Sequence, residues 1–207
     1  MTKIKICGLR RPEDVEAVNR YQPDYCGFIL SRPFRRYVSI EELRRLREML
    51  SAEIIPVGVF VDEDFHYIAQ FLDEKLISAV QLHGSEPEEL IRKLQECYPQ
   101  IPVIKAFTIR SEADAQKAVQ SRADMVLLDS GKGSGAVFDW NMIKDTGRPY
   151  FLAGGLNEEN ITEALAGYHP YAVDVSSGAE TDGWKDPGKI AHLIRAVRIF
   201  DGENYDK

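Results

Sequence analysis

The chain has 207 residues, 44% of them hydrophobic and 29% charged, which is enough for one large domain with a well-shielded core. Its net charge of −7 at pH 7 argues against nucleic acid as the main partner, although local positive charge could still bind a small anion. No apolar run approaches the length of about 20 residues that a membrane-spanning helix needs, and the N-terminus lacks the pattern of a signal peptide.

Short β-branched runs alternate with charged amphipathic segments along the whole chain. The eight predicted strands are KIKIC from Lys3, DYCGFIL from Asp24, IIPVGVFV from Ile54, AVQLHG from Ala79, VIKAFTI from Val103, MVLLDS from Met125, YFLAGG from Tyr150 and AVDVSSG from Ala172. The predicted helices between and after them are PEDVEAVNRY, SIEELRRLREML, EDFHYIAQFLDEK, EPEELIRKLQECY, SEADAQKAVQ, NEENITEALAGY and PGKIAHLIRAVRIF.

Capping signals support several of these helices. Ser39 and Glu42 form a capping box, Pro12 is suited to a first helical position, and Asn157 is predicted to cap the helix that Gly167 ends. Residues 139–145 are the weakest segment, with at most about two turns of helix.

Repeated βα units require a parallel sheet with right-handed crossovers, either open and doubly wound or closed into a barrel. The loop after the first strand, ICGLRRPED, lacks the G-x-G-x-x-G fingerprint that an open nucleotide-binding sheet usually carries. Eight strands in about 200 residues instead favour a compact barrel. The predicted fold class is therefore α/β, a single (β/α)8 TIM barrel over residues 1–207.

The cysteines and histidines predict neither a disulfide framework nor a metal site. Cys7, Cys26 and Cys97 lie far apart without a Cys-x-x-Cys pair, and the four histidines show no ligand spacing. We expect a cytoplasmic protein without a structural metal. Cys26, inside a strand, and Cys97, on a helix, are interpreted as small buried hydrophobes.

In a (β/α)8 barrel the active site lies at the carboxyl ends of the strands, and polar residues of this chain concentrate there. The loops after strands seven and eight combine Gly154 and Gly155 with Ser176, Ser177 and Gly178. Glycines let backbone N–H groups approach an anion, and these two loops are the recurring phosphate site of this fold. Each motif alone also fits an ordinary turn or cap; together they predict phosphate binding.

An acid and a base are predicted at the same rim. Asp129 ends an apolar strand, where partial desolvation can raise the pKa of a carboxyl group; the alternative is a loop-capping aspartate. Cys7 ends the first strand, and a thiolate can act as a base where positive charge lowers its pKa. The alternative for Cys7 is a buried hydrophobe.

Other polar residues at the rim are candidate ligand contacts. Arg35, Arg36 and Lys132 could bind an anion, although RPFRRYVS also fits a solvated basic turn. Gln81 and His83 are candidate substrate contacts, and for catalysis we favour His83 as a hydrogen-bonded imidazole at the barrel mouth. Asp174 either contacts substrate or orients the loop that carries Ser176.

Seven motifs in register give the chain a family resemblance. They are KICGLR, RRYVS, VGVFV, AVQLHG, LLDS…GSG…FDW, LAGGLNEENI and AVDVSSGAE, which run from Lys5 to about Asp186. In this order they resemble the phosphoribosylanthranilate isomerases, because independent coincidences at so many positions are rare.

The resemblance implies a barrel that isomerises N-(5'-phosphoribosyl)anthranilate to 1-(2-carboxyphenylamino)-1-deoxyribulose 5-phosphate, an Amadori rearrangement in tryptophan biosynthesis. It implies Cys7 as general base, Asp129 as general acid and Arg36 as the contact for the anthranilate carboxylate. The loops around Gly155 and Ser177 would hold the phosphate. Neither redox chemistry nor group transfer occurs, so no cofactor or metal is expected.

The resemblance has departures and rivals. The loop SGKGSGAVFDW is unusual around Lys132, and Trp184 in ETDGWKD is either a surface lid or a contact with a neighbour. Rival functions are an indole-forming synthase, for which Lys105 would be the central lysine, a ribulose-phosphate epimerase, a non-catalytic phosphate sensor, and isomerisation of a histidine-pathway aminoaldose. The expected partner is a small phosphosugar, neither nucleic acid nor membrane, and we expect a monomer with a homodimer as the alternative.

Overall fold

The computed structural model describes residues 1–129 and 147–202. Within them, eight parallel strands close into a barrel in sequential order, with β1 pairing to both β2 and β8. The strands are β1 Lys3–Cys7, β2 Tyr25–Ile29, β3 Ile55–Phe60, β4 Ala79–Leu82, β5 Val103–Thr108, β6 Met125–Asp129, β7 Tyr150–Ala153 and β8 Ala172–Val175. The predicted (β/α)8 barrel is confirmed.

Helices cover the outside of this barrel. They are α1 Pro12–Tyr21, α2 Ile40–Met49, α3 Phe65–Asp73, α4 Glu88–Cys97, α5 Glu112–Gln120, α6 Ile161–Tyr168 and α7 Pro187–Phe200. The short helix predicted over 139–145 and the residue Lys132 lie outside the described residues. Between 1 and 129 and between 147 and 202, no helix has the length and apolar character that crossing a bilayer requires.

Strand alternation divides the core into two layers. Ile4 and Ile6 point outward and join the cluster between the strands and the helices. Tyr25 and Phe151 belong to a second cluster that fills the barrel interior, where their rings pack edge to face with centroids 5.4 Å apart. Successive side chains point to opposite faces of a strand, so the odd-numbered residues of β1 face the interior.

Helix starts follow the predicted caps in most places. Ser39 and Glu42 form the capping box of α2. The start of α6 was predicted wrongly, because the helix begins at Ile161 with Asn160 as its N-cap. Asn157 instead accepts hydrogen bonds from the backbone of Glu159 and Asn160, and so it closes a turn just before the helix.

A small hairpin follows the last barrel strand. After a 3₁₀ turn at Ser177–Ala179, β9 Glu180–Thr181 pairs antiparallel with β10 Trp184–Lys185. The hairpin places the Trp184 ring beside the loop after β1, where the guanidinium groups of Arg10 and Arg11 lie 3.7 and 4.2 Å from its centroid. Trp184 therefore ties two loops of the carboxyl-terminal rim together.

Candidate active site

A cavity of about 250 Å³ opens at the carboxyl ends of the strands. Nine of the residues proposed from the sequence line it: Cys7, Gln81, His83, Asp129, Gly154, Gly155, Asp174, Ser176 and Ser177. Its apolar lining is Ile29, Phe34, Val59, Val61, Ala153 and Leu156. A lining that combines polar groups with apolar side chains suits a ligand with a charged sugar part and a flat hydrophobic part.

Cys7 lies at the base of this cavity, next to a buried ion pair. The Nζ of Lys5 and the Oδ1 of Asp174 are 2.9 Å apart, and both side chains are almost fully removed from solvent. Burial raises the pKa of Cys7 above its ordinary value, and the positive charges of Lys5 and Lys185 oppose that rise. The thiol therefore sits in a buried environment that still contains the cations a thiolate needs.

Asp129 faces the cavity from the end of β6, close to His83. The Nε2 of His83 lies 3.7 Å from the Oδ2 of Asp129. On the other side of the ring, Nδ1 lies 2.8 Å from the amide nitrogen of Gln81. When that amide donates to Nδ1, the ring proton is carried by Nε2 and points toward the carboxylate. The imidazole is hydrogen-bonded at the mouth, as we favoured from the sequence.

Gln81 has one atom that the described residues do not satisfy. Its side chain is buried, and its Oε1 has no hydrogen-bond partner within 1–129 and 147–202. A buried acceptor without a donor costs free energy, so this oxygen is suited to a hydroxyl or N–H of a ligand.

Arg36 is not among the residues that line the cavity, but it lies beside Ser176, which does. Its Nε and Nη2 donate to the two carboxylate oxygens of Glu180, over 2.6 and 2.8 Å. Lys185 binds the same carboxylate at 2.9 Å and also donates to the carbonyl oxygen of Ser176 at 2.9 Å. Gly8, at φ +86°, leaves room for Arg36, since a Cβ there would lie 2.6 Å from its Cδ.

The two glycine-bearing loops meet above the cavity. Gly154 and Gly155 have φ values of 101° and 71°, which is backbone that side-chain-bearing residues rarely adopt. Gly178 is not in the cavity lining, but a Cβ on it would lie 1.9 Å from the carbonyl oxygen of Leu156. The loop after β8 therefore approaches the loop after β7 closely enough to require glycine.

The comparison with known protein families agrees with this geometry. The family model described as N-(5'-phosphoribosyl)anthranilate (PRA) isomerase matches residues 4–196. The chain belongs to the PRA isomerase family. The family predicted from the seven motifs, and with it an isomerase of tryptophan biosynthesis, is confirmed.

Relatives match over nearly their whole length. A PRA isomerase of Endomicrobium trichonymphae is 42% identical, covering 96% of this chain and 99% of the relative, and one of Clostridium acetobutylicum is 40% identical, covering 97% and 100%. The crystal structure of the Thermotoga maritima PRA isomerase has a TM-score of 0.87 at 38% identity, covering 98% of this chain and all of that one. Another solved PRA isomerase, with a TM-score of 0.85 and also 38% identical, covers 96% of this chain and 99% of that one. It is in complex with reduced 1-(O-carboxyphenylamino)-1-deoxyribulose 5-phosphate.

Sequence reasoning missed three charged residues of this PRA isomerase site, namely Lys5, Glu180 and Lys185. One signal was available for Lys5, because a charged residue between Ile4 and Ile6 is unusual in a strand of a buried parallel sheet. Glu180 and Lys185 follow the last barrel strand in a hairpin, and no local pattern indicates that they turn back toward Arg36.

Three further residues discussed from the sequence, Cys26, Cys97 and Lys105, lie outside the cavity lining. Cys26 is fully buried as expected, and burial raises its pKa to about 12. Cys97 is exposed, so its interpretation as a buried hydrophobe was wrong; it is the last residue of α4 and lies on the solvent side of that helix.

Lys105 pairs with Glu86 at 3.0 Å and donates to the carbonyl oxygen of Gly84, away from the cavity. In the described parts of the chain, no group of three His, Cys, Asp or Glu residues could hold a metal ion.

Proposed function

We propose that the chain converts N-(5'-phosphoribosyl)anthranilate into 1-(2-carboxyphenylamino)-1-deoxyribulose 5-phosphate, with Asp129 as general acid and Cys7 as general base. One observation carries the assignment of roles. The carboxyl group, the thiol and the glycine-bearing loops all line one cavity at the carboxyl ends of the strands. The ligand named in the solved relative has the phosphate and the carboxyphenylamino group that this cavity's polar and apolar parts suit.

Phosphate binding is assigned to the loops after β7 and β8. Gly154 and Gly155 present backbone without side chains, and Ser176 and Ser177 supply hydroxyl groups beside them. Anchoring the phosphate there leaves the sugar to extend across the barrel mouth between Cys7 on one side and Asp129 on the other. Gln81 is suited to a sugar hydroxyl through its unsatisfied Oε1. Asp174 pairs with Lys5 on the side of the cavity where Cys7, the proposed general base, lies.

The proposed rearrangement needs one group that donates a proton to the substrate and one group that removes a proton from it. Asp129 donates a proton to the furanose ring oxygen, the C1'–O bond breaks, and the lone pair of the anthranilate nitrogen forms an iminium. The iminium acidifies the C2' hydrogen, which the Cys7 thiolate removes to give an enolamine that tautomerises to the ketone. The substrate gains and loses one proton in these steps, so the net reaction is an isomerisation and needs no redox partner.

Arg36 is assigned to the anthranilate carboxylate. Glu180 occupies its Nε and one N–H of Nη2, and a guanidinium has five donors, so the edge formed by Nη1 and the second N–H of Nη2 can still bind a planar carboxylate. His83 is assigned to the Asp129 side, where its Nε2 proton can orient the carboxyl group.

Single substitutions test the two proton-transfer roles. Cys7→Ala and Asp129→Asn should each lower kcat by about a hundredfold or more, the usual scale for a general acid or base. The measurement is the fluorescence decrease as phosphoribosylanthranilate is consumed, with chelator present throughout. Cys97→Ala is the matched control, because that thiol is exposed on α4 and should leave kcat unchanged. Wild-type rates for both site variants would refute the assignment.

A second pair of variants tests whether Arg36 binds the anthranilate carboxylate. Arg36→Lys removes the fork that binds a carboxylate through two hydrogen bonds and should raise KM for the substrate at least about tenfold. Arg35→Lys is its neighbour and control, since the Arg35 side chain is 58% exposed and makes one contact at 3.1 Å with Glu180. Inhibition by inorganic phosphate should be the same in both variants; equal loss of substrate and phosphate binding in Arg36→Lys would make Arg36 a phosphate ligand instead.

We also propose that the chain acts as a single-domain monomer. One solved relative, from Thermotoga maritima, is described as mutually generated monomers of a dimeric PRA isomerase, and a dimer is therefore the alternative outcome. Light scattering of the purified protein distinguishes a mass near 23.5 kDa from its double.

A further inference from the structure

A lysine lies fully inside the barrel wall directly beside the catalytic thiol. The side chain of Lys5 has no exposed surface, and its Nζ lies 2.9 Å from the Oδ1 of Asp174. The two residues are register partners on β1 and β8, so this contact is fixed by the sheet itself. A charged group that is removed from water costs several kcal/mol unless it is paired, so the pair must be built into the fold.

The same ammonium also lies near the sulfur of Cys7, on the same side of the strand. Lys5 and Cys7 are two residues apart on one strand and therefore point to the same face. Gly27 is the register partner of Cys7, and a Cβ on Gly27 would lie 2.7 Å from the Sγ and 3.1 Å from the Nζ. Both atoms thus fill the space that a side chain at 27 would need. The positive charge of the ammonium lowers the pKa of the Cys7 thiol.

The charges around Cys7 do not cancel until its thiol is ionised. Lys5 on β1, Lys185 on β10 and Arg36 in the loop before α2 are cations, and Asp174 on β8 and Glu180 on β9 are carboxylates. Three buried or half-buried cations facing two carboxylates leave one positive charge over, since Arg35, which also contacts Glu180, is 58% exposed and its charge is screened by water. A thiolate at Cys7 balances it. The other thiol nearby, on β2, has a pKa raised to about 12 and stays neutral.

We propose that Lys5 is a positioning residue that supplies the counter-charge of the Cys7 thiolate, with Asp174 holding the ammonium in place. This rests on the proposed function in that it explains how a buried thiol can serve as a base. Asp174 thereby acts on the reaction through Lys5 as well as by lining the cavity.

The directions of the pKa shifts agree with this geometry. Burial lowers the pKa of Lys5, but Asp174 and Cys7 outweigh burial and leave it above its ordinary value, so the ammonium stays charged while the thiol titrates. For Cys7, burial raises the pKa, and Lys5 is the largest influence in the opposite direction. Without Lys5, the Cys7 thiol would lose the largest of the influences that lower its pKa.

The test measures the thiol itself, without substrate. The protein carries Cys97→Ser, so that Cys7 and the buried Cys26 are the remaining thiols, and the rate of alkylation by iodoacetamide is followed from pH 6 to 10 with mass spectrometry identifying the modified peptide. The thiolate is the nucleophile, so the rate below the midpoint follows the thiolate fraction. Lys5→Met should move the midpoint upward and slow alkylation of Cys7 at pH 7.5 by about tenfold or more, since one pKa unit is tenfold in thiolate.

A second buried lysine provides the matched control. Lys105 is also almost fully buried in the barrel wall and also pairs with one carboxylate, Glu86, at 3.0 Å, but it lies on β5. Lys105→Met removes an ammonium of the same kind and should leave the Cys7 midpoint within about 0.3 units of the parent. A shift equal to that of Lys5→Met would mean that loss of fold, and not loss of the local charge, changed the thiol, and would overturn the proposal.

The double variant Lys5→Met/Asp174→Asn separates two explanations and avoids an unpaired buried carboxylate in case Lys5→Met alone does not fold. If Lys5 stabilises the thiolate, the pH midpoint of Cys7 alkylation stays above that of the parent protein when the charges of Lys5 and Asp174 are both removed. If Lys5 only neutralises Asp174, the double variant returns to the parent midpoint, and the proposal fails. A normal midpoint in Lys5→Met also refutes it.

The failure of this inference and that of the proposed function are distinguishable. Full activity of Cys7→Ala would refute the base role and leave the titration result standing. A shifted Cys7 midpoint should be matched by an equal shift of the acid limb of kcat against pH if Cys7 is the base.

Discussion

The carboxylate of Glu180 should be the main electrostatic support of the rim behind the active site, and Glu180→Gln tests this. The side chain is 6% exposed and accepts hydrogen bonds from Arg36, Lys185 and Arg35. Glutamine has the same shape and keeps one acceptor oxygen, but it removes the charge. Lys185, 1% exposed, would lose its charged partner and keep neutral acceptors, among them the carbonyl oxygen of Ser176.

The cost follows from how buried each partner is. Removing one partner of a fully buried ion pair costs about 3–5 kcal/mol. Arg36 is 20% exposed and Arg35 is 58% exposed, so water can partly solvate both guanidinium groups. Of the three cations, only Lys185 has almost no access to solvent. We therefore expect a loss of about 2–3 kcal/mol in the free energy of unfolding at pH 7. For a chain of this size that corresponds to a fall of about 4–12 °C in Tm.

The stability difference between wild type and Glu180→Gln should depend on pH in one direction. Burial raises the pKa of Glu180, but the hydrogen bonds from Arg36 and Lys185 outweigh it and lower the pKa to about 2, well below the ordinary value of about 4.5. A carboxyl with a depressed folded-state pKa stabilises the protein fully above its unfolded pKa and loses this effect as the pH falls toward the folded value. The gap between wild type and Glu180→Gln should therefore be constant from pH 6 to 8 and shrink as the pH falls from about 4.5 toward 2.

Urea unfolding followed by circular dichroism measures the difference at each pH. The control is Glu74→Gln, which breaks a pair of the same geometry, since Arg44 binds both oxygens of Glu74 at 2.7 Å, but at an exposed site. It should leave stability unchanged within error, because exposed pairs contribute little. A loss below about 0.5 kcal/mol for Glu180→Gln, the range of ordinary surface substitutions, would refute the reasoning.

Three further substitutions test the backbone and packing of the rim. Gly178→Ala would place a Cβ 1.9 Å from the carbonyl oxygen of Leu156, which cannot move aside, so the loops after β7 and β8 should separate. Inhibition by inorganic phosphate should then weaken about tenfold or more. Unchanged inhibition would contradict the close approach of the two loops. Gly27→Ala would meet the Cys7 sulfur at 2.7 Å, and kcat should fall by more than KM changes, as steady-state rates would reveal. Asp186→Ala removes the side chain that accepts two backbone N–H groups at the start of α7 and should lower the free energy of unfolding by about 1 kcal/mol in urea titrations, without a change in kcat.

Much of the site was predictable because the barrel brings strand ends together regardless of what the strands contain. Once eight βα units were recognised, residues at the carboxyl ends had to share one rim, although Cys7 and Asp129 are far apart in the chain. Their common cavity with Gly155 and Ser177 follows from that topology. The family motifs added which proton-transfer role each side chain was expected to have, and those roles remain predictions.

Periodicity and motifs, read along the chain, determined the strands, most helix starts and the end of the barrel where ligands bind, because these depend on neighbours a few residues away. Only the tertiary structure decided which charges meet. Lys5 pairs with Asp174 169 residues later, and Arg36 turns to Glu180 144 residues later, because barrel closure and the hairpin after β8 put those side chains within about 3 Å. Such contacts depend on strand register and on loop packing, and the side-chain identities alone do not specify either.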